Sequence, residues 1–108
     1  YKPSSRNYKL WKKYYTGANG LLSIVIKSKK KSSVIKFVNS LKLFGIGYSW
    51  GGFESLAILQ ELRDETKYTK VRRYLRFKKD EHIVRLHIGL EDPKDLVADL
   101  KKSLKHIK

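Results

Sequence analysis

Cysteine is absent from the 108 residues. That excludes disulfides, thiolate metal sites and a cysteine nucleophile, and with them the disulfide-built secreted scaffolds. Acid is absent from the first half, since all ten Asp and Glu lie at or after Glu54. No apolar run approaches the ~20 residues of a membrane span. No N-terminal segment has the charged, apolar and cleavage regions of a signal peptide. The expectation is a cytoplasmic chain with no membrane segment. The chain starts at Tyr1 rather than at Met, from which a piece of something longer is expected.

What is present suffices for one small domain. Hydrophobic residues make up 41% and aromatics 12%, too apolar for a disordered chain. Lys and Arg total 25 against 10 acids, a net charge of +15. Residues 1–53 carry eleven Lys/Arg and no acid; residues 54–108 carry fourteen and ten. A basic half is the electrostatic footprint of a nucleic-acid or anionic-surface binder. It is equally the look of a solvated, lysine-rich face. Nineteen Lys against six Arg weighs against base readout, which favours the arginine fork. A basic nucleic-acid-binding module stands as the alternative function, on charge alone.

The apolar pattern alternates between strand and helix periods. Residues 1–20, with Pro3, Gly17, Asn19 and Gly20, read as an extended lead-in with a turn at 16–20. Leu21–Ile26 is a short apolar run expected as a central strand. After the basic turn at 27–31, Ser32 or Ser33 is the expected cap of a helix with Val34, Phe37, Val38 and Leu41 on one face. Phe44, Ile46 and Tyr48 alternate with Gly45, Gly47 and Ser49, a strand with one nearly bare face. Phe53–Leu62 is ambiguous between strand and helix. Arg63–Glu81 reads as charged and irregular, anchored by Val71, Tyr74, Leu75 and Phe77. In Ile83–Ile88, Val84, Leu86 and Ile88 alternate with Ile83, Arg85 and His87. Asp92 as cap, Pro93 at the first position and the stripe Leu96, Val97, Leu100, Leu104 and Ile107 define a closing helix near 93–106. The expected class is α/β, or α+β, with helices on one face of a small sheet.

Little of this composes a reaction centre. The histidines His82, His87 and His106 have no metal spacing with one another or with carboxylates. His87 reads as a packed or hydrogen-bonded histidine, and no Ser-His-Asp set can be placed. Gly45, Gly47, Gly51 and Gly52 fit neither dinucleotide nor Walker spacing; glycines on one strand face imply close approach by a helix or a ligand. Arg85 is more informative. It lies mid-strand between Val84 and Leu86, where an unpaired guanidinium is costly, so it needs an anion. The physics leaves two sources open: an internal carboxylate such as Glu91 or Asp92, or a ligand. Trp50 is either core or the wall of a pocket.

Two stretches, FGIGYSWGGFESL at 44–56 and VRLHIGLEDPKDLVADL at 84–100, resemble the C-terminal small domain of the trans-sulfuration enzymes. These are the pyridoxal 5′-phosphate (PLP)-dependent family of cysteine and methionine metabolism. The Tyr-Ser-Trp-Gly-Gly and RLHIGLED forms are most similar to those of bacterial cystathionine β-lyases. Leu10-Trp11-Lys12-Lys13 and YTGANGLLSIVIK are similar to the family's entry into that domain. The resemblance covers roughly residues 3–60 and 82–107.

The resemblance implies a mostly antiparallel sheet with helices on one face. It divides the chain into the lead-in at 1–20 and the small domain at 21–108, with the PLP-binding large domain absent. It implies that Arg85 binds the substrate α-carboxylate, with Tyr48, Ser49 and Trp50 in the same substrate pocket. It implies no catalytic, cofactor-binding or metal-binding residue in this chain. PLP would act in the complete enzyme, a homotetramer cleaving cystathionine to homocysteine, pyruvate and ammonia. The partner would be a large PLP-binding domain, on the same or a separate chain. Thr66-Lys67-Tyr68 matches the family's lysine motif by three letters only and is read as coincidence.

Overall fold

A computed structural model of the chain describes residues 3–60 and 78–108. Three helices and four strands are described: α1 (Tyr8–Tyr14), β1 (Leu21–Lys27), α2 (Lys31–Asn39), β2 (Gly45–Ile46), β3 (Leu56–Gln60), β4 (Glu81–His87) and α3 (Pro93–Leu104). The strands form one sheet in the order β1-β4-β3-β2. β4 pairs antiparallel with β1 and with β3, whereas β2 pairs parallel with β3. The α/β class and the mostly antiparallel sheet are as expected.

The alternation on β4 decides which face is which. Val84 and Leu86 are buried, and in register with them stand Leu59 and Ala57 on β3 and Ile24 and Leu22 on β1. Val34, Phe37 and Val38 of α2 and Leu96 of α3 complete the same core. Both helices therefore cover one face. Burying each such side chain contributes about 1.5–3 kcal/mol relative to exposure. Arg85 and His87 fall on the opposite face, in register with Ser23 and Leu21 of β1 and with Ile58 and Leu56 of β3.

Several expectations change at the residue level. The lead-in is not extended throughout: Tyr8–Tyr14 is helical. No Gly or Pro lies between Ser4 and Thr16, Lys12 and Lys13 sit favourably in the last turn, and the Tyr8 and Trp11 rings meet at 5.8 Å one turn apart. The expected turn keeps its signal, with Asn19 Oδ1 accepting from Leu21 N–H at 3.1 Å. Neither Ser32 nor Ser33 caps α2. The helix starts at Lys31, Ser33 is buried, and the Ser28 hydroxyl accepts from the Lys30 N–H instead. The Phe44–Tyr48 strand shrinks to Gly45–Ile46, because the chain turns away at once. Within the ambiguous stretch Leu56–Gln60 is strand β3, the link between β2 and β4, and residues 61–62 lie outside the described residues. Asp92 caps α3 as expected, accepting from Lys94 N–H at 2.7 Å. Val71, Tyr74, Leu75, Phe77 and Thr66-Lys67-Tyr68 lie outside the described residues.

Candidate functional site

Parallel neighbours impose a return path. The chain leaves β2 at Ile46 and must re-enter at the same end of the sheet to begin β3 at Leu56. The stretch between, residues 47–55, makes that return across Arg85. Arg85 Nη2 donates to the Ser49 carbonyl oxygen at 2.8 Å. The guanidinium carbon lies 5.1 Å from the Tyr48 ring centre and 5.2 Å from that of Trp50. Cation–π attraction of about 0.5–1 kcal/mol per exposed pair holds the three together. Arg85, Tyr48, Ser49 and Trp50 thus form one cluster. Trp50 is not core, being 86% exposed, and Tyr48 is 66% exposed.

The internal carboxylates that the sequence offered to Arg85 are engaged elsewhere. Asp92 caps α3. Glu91 accepts from Ser55 N–H at 2.8 Å and from the Ser55 hydroxyl at 2.7 Å. Among the described residues, no carboxylate stands within 4 Å of the guanidinium. A half-buried guanidinium has five donors, and Ser49 takes one of them. The remaining donors suit a planar, bidentate anion such as a carboxylate.

At the bare glycine face the close neighbour is the chain's own adjacent strand. At Gly45 the close neighbour is the Leu56 side chain, whose Cδ2 would lie 3.1 Å from an added Cβ; at Gly47 the same side chain is in ordinary contact. The close approach comes from the adjacent strand of the chain's own sheet.

Beside this cluster lies a second layer, of which sequence reasoning reached only His87, read as packed or hydrogen-bonded, as it is. His87 is buried, and its Nε2 lies 3.1 Å from the Gly52 carbonyl oxygen. A carbonyl only accepts, so Nε2 carries the proton. Leu90 N–H donates to the Phe53 carbonyl, and Gly89 N–H to the Ser55 hydroxyl, each at 2.8 Å. The Ser55 N–H, and then its hydroxyl, hold the Glu91 carboxyl below the usual glutamate range; burial opposes this. The signal was available in the Glu54-Ser55 and Gly89-Leu90-Glu91 runs of the two motifs, but spacing along the chain does not say that they meet.

A helix-covered mixed sheet with an arginine and two aromatic rings on its free face places the chain among small α/β domains. The chain belongs to the PLP-dependent enzymes of cysteine and methionine metabolism, whose family profile matches residues 1–105. It is 41% identical over 102 residues to the cystathionine β-lyase of Bordetella avium, covering 94% of this chain and 24% of that protein. It is 38% identical over 103 residues to human cystathionine γ-lyase, covering 95% and 25%. A Campylobacter jejuni chain solved as an O-acetylhomoserine (thiol)-lyase, with pyridoxyl-lysine monophosphate in place, superposes with a TM-score of 0.75. That match is 28% identical over 95% of this chain and 24% of the other. Cystathionine γ-synthase of Xanthomonas oryzae shares the fold, with a TM-score of 0.74 at 23% identity over 97% of this chain and 27% of its own. The chain thus spans about a quarter of the length of the curated relatives it matches.

PLP in this family is held through a lysine. Every described lysine of this chain is exposed. The described residues hold no metal-binding cluster, and no described helix is long and apolar enough to cross a membrane.

Proposed function

We propose that this chain supplies the substrate-carboxylate side of a PLP-dependent carbon–sulfur lyase acting on cystathionine. The observation that supports it is Arg85, half-buried between β1 and β3, lacking an internal anion among the described residues and flanked by Tyr48 and Trp50. Arg85 grips the amino acid's α-carboxylate through two parallel N–H bonds. Tyr48 and Trp50 keep the guanidinium in place and exclude water from one side of it, and the Ser49 carbonyl fixes its rotation. The amino acid is thereby held in one orientation, and orientation is where much of the rate of such a reaction arises. Withdrawal of electrons from Cα belongs to the cofactor, held by the remaining three-quarters of a family enzyme.

Relatives of both the β- and γ-lyase kind match at similar identity. The Tyr48-Ser49-Trp50 and RLHIGLED forms favour the β-lyase reaction, giving homocysteine, pyruvate and ammonia. The cytoplasm is the proposed compartment, a homotetramer the proposed assembly. The nucleic-acid alternative rests on charge, and nothing among the described residues adds to it.

The test is a chimaera in which this chain replaces the matching quarter of the Bordetella avium enzyme, assayed for pyruvate released from cystathionine. The chimaera is expected to turn over, and the 108-residue chain with added PLP to stay at the free-cofactor background. A folded, PLP-loaded chimaera without pyruvate release, or turnover by the chain alone, contradicts the proposal.

A further inference from the structure

The loop over Arg85 buries little of its own. Residues 50–54 are all exposed, and within the loop the side-chain hydrogen bonding is that of the Ser49 hydroxyl with Gly51. Its shape is imposed from outside, by the single run Arg85–Glu91. That run meets the loop in order: Arg85 at Ser49, His87 at Gly52, Leu90 at Phe53, Glu91 at Ser55.

Glu91 differs from the other contacts. Arg85 also bears a charge but gives the loop one bond, whereas the Glu91 carboxylate takes two from one residue. Its partner Ser55 is only 1% exposed with that carboxylate in place, so the two bonds are shielded from competing water. The Ser55 hydroxyl also accepts from Gly89 N–H, which closes the latch on the strand side. Only five residues separate Ser55 from Ser49, so a shift at the latch passes to the carbonyl that meets Arg85. The same two bonds keep the Glu91 carboxylate off the guanidinium, six residues upstream on the same run.

We propose that Glu91 is a positioning residue for the Arg85 site: it locks Ser55, and through the loop sets where the Ser49 carbonyl and the Tyr48 and Trp50 rings meet the guanidinium. That this meeting point is a carboxylate site rests on the proposed function; the positioning does not.

The test is NMR on the 15N-labelled 108-residue chain, comparing Glu91→Ala, Glu91→Gln and Ser55→Ala. In Glu91→Ala the Arg85 Nε–H and Trp50 indole signals shift. The Ser55 and Leu90 amides exchange about ten- to a hundredfold faster, as expected when a charge-assisted bond is lost, while the Val84 and Leu86 amides keep their rates. Glu91→Gln restores most of this, because its amide accepts from the Ser55 N–H and donates to the hydroxyl. Arg85 and Trp50 signals that stay put in Glu91→Ala overturn the proposal. So does equal acceleration at Val84 and Leu86, which marks a merely structural role. If Glu91→Ala does not fold, Ser55→Ala decides: moved Arg85 and Trp50 signals support the latch, and unmoved ones overturn it. The carboxylate reading fails separately, through near-normal kinetics of Arg85→Ala in the chimaera.

Discussion

At the scale of single residues, the site is held by backbone groups that only certain side chains permit. Gly89 is the clearest case. A Cβ there would overlap the Phe53 carbonyl oxygen and lie 2.6 Å from the Glu54 carbonyl carbon and 2.7 Å from Glu91 Oε2. Two of the three obstacles are backbone, which cannot swing aside. Gly89→Ala is therefore expected to push the loop off Arg85 and to lower the melting temperature. A crystal structure or NMR spectrum of that variant with the loop contacts unchanged would show that the approach is looser than described. Glu91 gives a pH dependence. Its carboxyl is held below the ordinary glutamate range by Ser55. Its contribution is thus complete above the unfolded value and is lost as pH falls through the lowered folded value. Melting temperatures of the wild type and Glu91→Gln should differ most near neutrality and converge in acid. A gap that widens in acid reverses the sign and contradicts the latch.

At the scale of elements, an aspartate joins the two helices to the sheet edge. Asp99 of α3 is buried, and its carboxylate accepts from Lys42 N–H at 2.9 Å and Leu43 N–H at 2.9 Å. Those two amides lie between α2 and β2, just before the chain turns toward Tyr48. Asp99→Ala leaves both without a partner, at about 2–3 kcal/mol. In a domain of this size that is a fall of roughly 8–20 °C in melting temperature, and thermal unfolding by circular dichroism measures it. A fall under about 2 °C would mean that water replaces the carboxylate freely.

What was legible at this scale follows from how local each signal is. The Asp92-Pro93 start of α3 and the period-two run of β4 are local patterns, and each appears where expected; of the expected α3 stripe Leu96, Leu100 and Ile107 meet the core, whereas Val97 and Leu104 are exposed and the buried face turns through Asp99 and Ser103 instead. α1 was missed because Pro3 and Gly17 drew the reading toward a turn, while the seven residues Tyr8–Tyr14 between them satisfy one another at short range. β3 was ambiguous because Phe53–Leu62 mixes an exposed loop with a strand whose partners, β2 and β4, are distant in sequence. That Asp99 reaches across to residues 42–43 is a tertiary fact that its place on α3 does not signal. The Arg85 cluster was legible because an arginine in an apolar strand demands a partner. The Ser55–Glu91 latch was not, because a serine and a glutamate far apart in the chain demand nothing until they meet.

At the scale of the whole molecule, the chain spans about a quarter of the length of the curated relatives it matches, and its free face is built around the Arg85 cluster. One face carries the helices and the core; the other holds Arg85 with two exposed rings over it. The central claim is that the guanidinium awaits a substrate carboxylate rather than bracing the fold, and Arg85→Ala in the chimaera tests it most directly, with kcat/KM and melting temperature measured on the same protein. Removing one partner of a desolvated charge pair costs on the order of 2–5 kcal/mol, so kcat/KM should fall roughly 30- to 4,000-fold. Arg85→Lys should recover part of the loss, since the charge returns without the fork. The melting temperature should change little, because the anion comes from the substrate. Near-normal kcat/KM with a collapsed melting temperature would contradict the account and make Arg85 a brace of the fold.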